Sequence, residues 1–239
     1  MKNQLRLDKF LADMGIGTRS EVKGYIRKGR VCVNGATVKS SDLKVDLKSD
    51  SISFDSRLVE YSVNEYIMLN KPMGVVSATE DNTCETVIDL IQDSYRKDLF
   101  PVGRLDKDTE GLLILTNDGV LSHNLLSPRK HVSKVYYAKI DQPVTEKEVT
   151  AFREGIRIDD EFTALPAELK VLSSSDVSEI ELTIYEGKFH QVKRMFEAVG
   201  MNVIYLKRIA MGNLVLDHEL IPGEYRELSE EEIELLRNS

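Results

Sequence analysis

An arginine and a carboxylate stand two residues apart in Pro101-Val102-Gly103-Arg104-Leu105-Asp106-Lys107-Asp108-Thr109-Glu110-Gly111, just ahead of the apolar run Leu112-Leu113-Ile114-Leu115-Thr116. Residues two apart in an extended chain point to the same side, so Arg104 and Asp106 would present a cation and an anion together at the mouth of a buried strand. A carboxylate in that position can act as a nucleophile or simply form the polar turn, the commoner role of aspartate. Asp106-Lys107-Asp108-Thr109 is also close to D-x-D-x-T, the nucleophile pattern of magnesium-dependent phosphatases, with Asp159-Asp160 as the later metal pair. A short pattern of that kind matches by chance often, and Gly103 and Arg104 interrupt the apolar strand that should precede such a nucleophile.

Two more stretches carry reactive side chains. Lys134-Val135-Tyr136 opens a strand that runs to about Ile140, and Gly187-Lys188-Phe189-His190-Gln191-Val192-Lys193-Arg194-Met195-Phe196 leads into a basic helix. Taken singly, these read as a core tyrosine and a solvated charged face. His123, His131, His190 and His218 lack the spacing of metal ligands, and Cys32 and Cys84 are too few and too far apart for a zinc site or a disulfide framework. No metal is expected.

The elements that would position these residues follow from periodicity. Leu7, Phe10, Leu11 and Met14 keep the i, i+3, i+4, i+7 spacing of an amphipathic helix that Gly15 or Gly17 would end. Thr18-Arg19-Ser20-Glu21 is a capping box opening a second helix, striped by Val22, Tyr25 and Ile26 as far as Gly29. Asn34-Gly35 between Val31-Cys32-Val33 and Ala36-Thr37-Val38 predicts a tight hairpin, and Ser51 to Phe54 alternates as a further strand. Arg57 to Asn64 has no periodicity and reads as a linker. Beyond it, Tyr66 to Leu69 forms a strand stopped by Asn70-Lys71-Pro72-Met73-Gly74, Glu181 to Tyr185 alternates, and Val192, Met195, Phe196 and Val199 keep helical spacing. Strands and helices mixed without a regular repeat imply an α+β domain on a mixed, largely antiparallel sheet. The expected organisation is residues 1–60 and 61–239.

Charge separates the same two parts. Residues 1–60 hold 12 Lys+Arg against 8 Asp+Glu, a net of +4, while the rest hold 20 against 32, a net of −12, within a chain of net −8. Arg19, Lys23 and Arg27 recur every four residues as a ridge on the second helix, extended by Lys28 and Arg30. A basic module on an acidic body points to a polyanion partner, since a local cationic face attracts phosphates whatever the total charge. No apolar run reaches the roughly 18 residues of a membrane span, and the start lacks an apolar leader, so a cytosolic protein is expected.

The order L-D-K-F-L, T-R-S-E-V, G-R-V-C-V-N-G resembles the small αL-type RNA-binding domain first recognised in a ribosomal small-subunit protein. The string G-R-L-D-K-D-T-E-G-L-L-I-L-T-N-D-G resembles the defining motif of the ribosomal pseudouridine synthases, K-V-Y their second motif and F-H-Q-V-K-R-M-F their third, with L-N-K-P-M-G and P-G-E-Y-R in keeping. The resemblance spans nearly the whole chain. It implies an isomerase that breaks the bond between ribose and the uracil nitrogen, turns the base and rejoins it at carbon five, without cofactor. It implies Asp106 as the essential carboxylate, Tyr136 as the residue packing on the flipped base, Val192 as an apolar neighbour, and Lys193 as the cation that keeps Asp106 ionised. Arg104 would fill the place the base vacates, and Lys71 and Arg194 join the helix ridge among the RNA-binding cations. The third motif and the closing L-I-P-G-E-Y-R-E-L-S-E-E-E-I look most like the small-subunit branch called RsuA. That implies a monomer acting on one uridine of 16S RNA, position 516 in the usual numbering of that RNA, within a small-subunit assembly intermediate. A 23S substrate, or a binding-only assembly factor, is the alternative.

Overall fold

The computed structural model describes residues 4–59, 61, 64–92, 94 and 96–239, which fall into two compact units, Met1–Glu65 with Gln92–Leu99 and Tyr66–Ile91 with Phe100–Ser239. The segment Gln92–Leu99 thus belongs to the first unit although it lies well beyond residue 60. Ser94 and Arg96 tie it there: the Ser94 hydroxyl and the Arg96 backbone N–H both donate to Glu65 Oε2, at 2.9 and 3.0 Å.

In the first unit, β1 (Gln4–Arg6) leads directly into α1 (Leu7–Asp13), which is followed by α2 (Arg19–Arg27). The capping box forms, with Glu21 N–H donating to Thr18 Oγ1 and Thr18 N–H donating to Glu21 Oε2 at 2.8 Å. The apolar stripes of both helices meet: Leu7, Phe10, Leu11, Met14, Val22 and Ile26 form one core with Val31, Val45 and Ile52. Beneath them, β2 (Val31–Val33), β3 (Ala36–Thr37), β5 (Ile52–Phe54) and β6 (Arg57–Val59) pair in the order β3-β2-β5-β6, while β4 (Lys44–Asp46) pairs with β1. Asn34 and Gly35 both have positive φ, 53° and 79°, as the hairpin turn requires. Arg57–Val59, read as linker, is a strand, because each residue finds a partner on β5 from Phe54↔Arg57 to Ile52↔Val59. Glu60, Ser62 and Val63 of that stretch lie outside the described residues.

The second unit is built on one sheet. Its strands are β7 (Tyr66–Lys71), β8 (Phe100–Pro101), β9 (Glu110–Thr116), β10 (Lys134–Ile140), β11 (Glu168–Ser173), β12 (Ser178–Ile184), β13 (Val203–Met211), β14 (Leu214–Val215) and β15 (Tyr225–Glu227). The main order is β11-β12-β10-β13-β9-β7-β15, with β8 on β9 and β14 on β13. Every pairing is antiparallel except β13 with β9. The fold is therefore α+β on a mixed, largely antiparallel sheet. β10 and β12 alternate buried and half-buried residues, whereas β7 is buried throughout and β9 from Gly111 onward, which is why those segments read as continuous apolar runs.

Helices cover the sheet: α3 (Gly119–Leu126), α4 (Glu146–Glu154), α5 (Gln191–Ala198) and α6 (Glu230–Arg237). Leu121 and Leu125 of α3 and Ile233 and Leu236 of α6 pack with Met68, Leu112 and Ile114 of the central strands. Phe152 of α4 lies 4.8 Å, centroid to centroid, from Phe196 of α5, joining that pair over the rest of the sheet. No helix among the described residues is long and apolar enough to cross a membrane.

Candidate active site

The segment between β8 and β9 carries Arg104 to Thr109, and the fold clamps it from several sides. β8 turns the chain in, with Val102 N–H donating to Ile114 O at 2.8 Å. Leu105, between the two polar residues of interest, is buried, and Ser77 holds both ends of its peptide: its hydroxyl donates to Leu105 O at 2.8 Å and accepts from Leu105 N–H at 3.0 Å. Gly74 N–H donates to Lys107 O, Thr109 N–H closes a turn onto Asp106 O, and Lys71 Nζ donates to Thr109 O at 2.9 Å and Pro72 O at 3.0 Å. A loop held this way presents Asp106 in one orientation before substrate arrives.

Asp106 is partly exposed. Its Oδ2 lies 3.4 Å from Lys193 Nζ and its Oδ1 3.6 Å from His190 Nε2. Lys193 sits closer still to Asp108, at 2.6 Å, and so bridges two carboxylates. That hydrogen bond holds the Asp108 carboxyl below the ordinary carboxylate range. Lys193 reaches the loop because α5 buries its apolar stripe, Val192, Met195 and Phe196, against the sheet and turns the next position outward to the cleft. At the head of α5, His190 adopts a left-handed φ of 48° and stacks on the exposed Phe189 at 3.7 Å.

Asp106, Phe189, His190 and Lys193 line one cleft of about 650 Å³. Tyr136 forms part of its wall from β10, only 8% exposed, and Arg104, Asp106, Val192 and Lys193 line it too. The other residues singled out in the sequence lie elsewhere. Arg194 pairs with Asp159. Lys71, expected among the RNA-binding cations, is a correction: it is wholly buried at the end of β7 and its ammonium ties the Asp106 loop, so it offers no surface to a phosphate. Burial pulls it down to about 8, against the opposing pull of Asp106, Asp108 and Glu110.

In the first unit, Arg19 and Lys23 converge with Arg6 on Asp8, at 3.3, 4.0 and 3.0 Å. Asp8 is fully buried, which pushes its carboxyl up, but the bonds from Arg6 and Arg19 outweigh that and leave it below its usual range. Three cations around one carboxylate leave an excess positive charge on this face. Arg27 and Lys28 end α2 at the surface, and Arg30 pairs with Asp55 while lying over the rings of Tyr25 and Phe54, 4.6 and 4.5 Å from their centroids.

The sequence reading missed Ser77, the partner role of Asp108, His190 beside Asp106, and two buried cations in the cleft, Lys134 and Arg208. The signal for both cations was parity. Each sits on the inward face of an alternating strand, Lys134 in step with Tyr136 and Arg208 in step with Leu206 and Ala210. Burial, and then the neighbouring charge of Arg208, lower the Lys134 ammonium to about 8 from 10.5. The folded state then binds fewer protons than the unfolded chain between those values, so stability rises with pH there. Relative to Lys134→Met, the wild type is expected to gain in urea midpoint from about pH 8 to 10 and to show a flat difference below pH 7. A difference that stays constant across the range would contradict it.

Two family models match the chain, one described as RNA pseudouridylate synthase over residues 65–198 and an S4 domain over residues 5–52. An uncharacterized RNA pseudouridine synthase of Bacillus subtilis is 46% identical over 234 residues, 97% of this chain and 98% of that protein. Ribosomal small subunit pseudouridine synthase A of Escherichia coli is 40% identical over 232 residues, 96% of this chain and 98% of that one. A crystal structure of a pseudouridylate synthase, 40% identical, matches with a TM-score of 0.68 over 97% of this chain and 99% of that chain.

Proposed function

The chain belongs to the RNA pseudouridylate synthase family, and from that premise we propose that it isomerises one uridine of 16S ribosomal RNA, with Asp106 as the catalytic carboxylate. The observation that carries the reading is Asp106 itself, clamped in its loop, with a cation 3.4 Å from its carboxylate and an aromatic wall in the same cleft. The substrate assignment is supported by small-subunit synthases that match nearly end to end. In the reaction, the target nucleotide leaves the helical stack and enters the cleft, where Tyr136 packs on the base and Arg104, exposed at the rim, props the vacated position. Asp106 acts on the nucleotide as the bond between ribose and uracil nitrogen breaks, and Lys193 keeps its charge in place. The base turns in the cleft and rejoins the sugar through carbon five. Mapping pseudouridine in ribosomal RNA from cells with and without this protein tests the assignment. Loss of one 16S site, position 516 in the usual numbering, is expected. A site lost from 23S RNA would move the substrate to the large subunit, and no site lost would leave a binding protein only.

Residues 1–60 supply grip in this reading and the remainder the chemistry. The excess positive charge around Asp8, continued by Arg27, supports it. Replacing Arg19, Lys23 and Arg27 by Gln should lower the log-log salt slope of RNA binding by about two, since each phosphate contact contributes roughly 0.7 to 0.9. Single-turnover rate at saturating RNA should be kept. An unchanged slope with slow turnover would count against the division.

A further inference from the structure

The cleft holds two buried cations that form no ion pair among the described residues. Arg208 is 2% exposed and Lys134 6% exposed, both lining the cleft. Arg208 Nε donates to Leu112 O at 2.8 Å, but its Nη2 is buried without a hydrogen-bond partner. Lys134 Nζ donates to Val132 O at 2.7 Å, leaving two of its three N–H groups for other acceptors. Among the described residues, neither has a carboxylate within ion-pair distance. Two cations buried side by side without an anion are costly to a fold, and that cost is ordinarily offset by a ligand bearing the missing charge.

The strand register says where that ligand sits. Arg208 is directly opposite Tyr136 in the β10–β13 ladder, so the two side chains share the cleft face with Cβ atoms about 5 Å apart. Lys134 lies two residues before Tyr136 on the same strand and the same face, about 7 Å along it. A ring stacked on Tyr136 therefore has its edge toward both cations. A backbone phosphate would instead lie toward the mouth, where Arg104 and Lys107 are exposed.

We propose that Arg208 and Lys134 bind a carbonyl oxygen of the target uracil and stabilise the negative charge that the base acquires when it is detached. The inference rests on the isomerase reading above. When the bond between ribose C1′ and uracil N1 breaks, its electron pair leaves with N1, and conjugation spreads the charge onto O2 and O4. After the base turns, C5 supplies the pair that forms the new bond to C1′, the C5 proton is lost and N1 takes one up, so the products balance with no oxidant or reductant. Donors already fixed in a water-poor site are most effective where charge develops in this way.

The test is a cycle between protein and substrate atoms. RNA stem-loops carrying uridine, 2-thiouridine or 4-thiouridine at the target are followed in single turnover at saturating RNA with the wild type, Arg208→Met, Arg208→Lys and Lys134→Met. On uridine RNA, Arg208→Met should be slower by about 10²-fold, the size of losing one donor to a developing anion. Lys134→Met should be slower by about tenfold or more, while its thermal midpoint holds or rises because a buried charge has gone; a purely structural lysine would not separate the two. Arg208→Lys should recover part of the rate. One of the two thio RNAs should slow the wild type yet add little to the defect of Arg208→Met. Penalties that multiply with both thio RNAs would overturn the contact. If a neutral methylphosphonate beside the target absorbs the penalty instead, the cations hold a phosphate and the proposal is wrong. Should Arg208→Met fail to fold, Lys134→Met and Arg208→Lys still decide it. A wild type that forms no pseudouridine defeats the isomerase reading and this inference together, whereas full-rate variants of an active enzyme defeat this inference alone.

Discussion

Asp106→Asn is expected to purify folded and to bind RNA as the wild type does, while isomerising uridine about 10⁴-fold more slowly or not at all. The change is isosteric and the side chain is partly exposed, so no cavity or buried orphan results. The loop does not depend on the carboxylate either: it is held through the peptide of Leu105, the carbonyls of Lys107 and Thr109, and the turn onto Asp106 O. Nor does the substitution strand Lys193, which keeps Asp108 at 2.6 Å. What is lost is the charge at the reacting position. Single-turnover rates on ribosomal RNA, with a urea midpoint measured alongside, check both halves. Retention of more than about 1% of the rate would remove Asp106 from the chemistry, and a large fall in midpoint would mean that the carboxylate serves the fold.

What the sequence revealed and what it hid divide along the range of the interactions. The capping box at Thr18 and Glu21, the Asn34-Gly35 turn and the alternation of β10 depend on neighbours within a few residues, and each was legible. The candidate carboxylate could be named as well, because the string from Gly103 to Gly119 is contiguous and its resemblance to a family motif, rather than the spacing of Arg104 and Asp106, singled out Asp106. The clamp on that carboxylate was not legible. Ser77 reaches Leu105 across 28 positions from a segment with no periodicity, and the strand Arg57–Val59 was lost to the linker because three residues cannot display a pattern.

Charges were the hardest to read. A lysine in a polar string looks solvated, yet Lys71 and Lys134 are buried, since the strands carrying them run through the covered part of the sheet. Lys193 was paired with Asp106 only through the resemblance of its motif, and its shorter bond to Asp108 depends on how the loop curls back before β9. Registers between distant strands set which cations share a face, and only the folded chain contains them.

One such register makes Gly111→Ala the most damaging small substitution expected in this protein. β9 and β13 are the only two strands among the described residues that pair in parallel, joined at Lys207↔Glu110 and Arg208↔Gly111. Gly111 has φ +104°, and a Cβ there would meet Arg208 N at 2.8 Å and Lys207 Cγ at 2.9 Å, with Arg208 O closer still. Lys207 Cγ belongs to a side chain that can turn aside, but Arg208 N and O are backbone atoms of a strand already paired on its other side with β10, so they cannot give way without breaking that ladder. Gly74 separates the two costs involved. It has φ +88° but no atom within 4 Å of its would-be Cβ, so Gly74→Ala should lose only the left-handed backbone penalty of about 1–2 kcal/mol. Gly111→Ala adds a clash between main chains and should lose about 4 kcal/mol or more, among the larger single-residue effects known. The two variants compared by urea unfolding test this, and equal midpoints would show that β13 can move away from β9. Because Gly111 closes the segment that carries Asp106 and packs on the residue that carries the Arg208 guanidinium, whatever separates these two strands should remove activity along with stability.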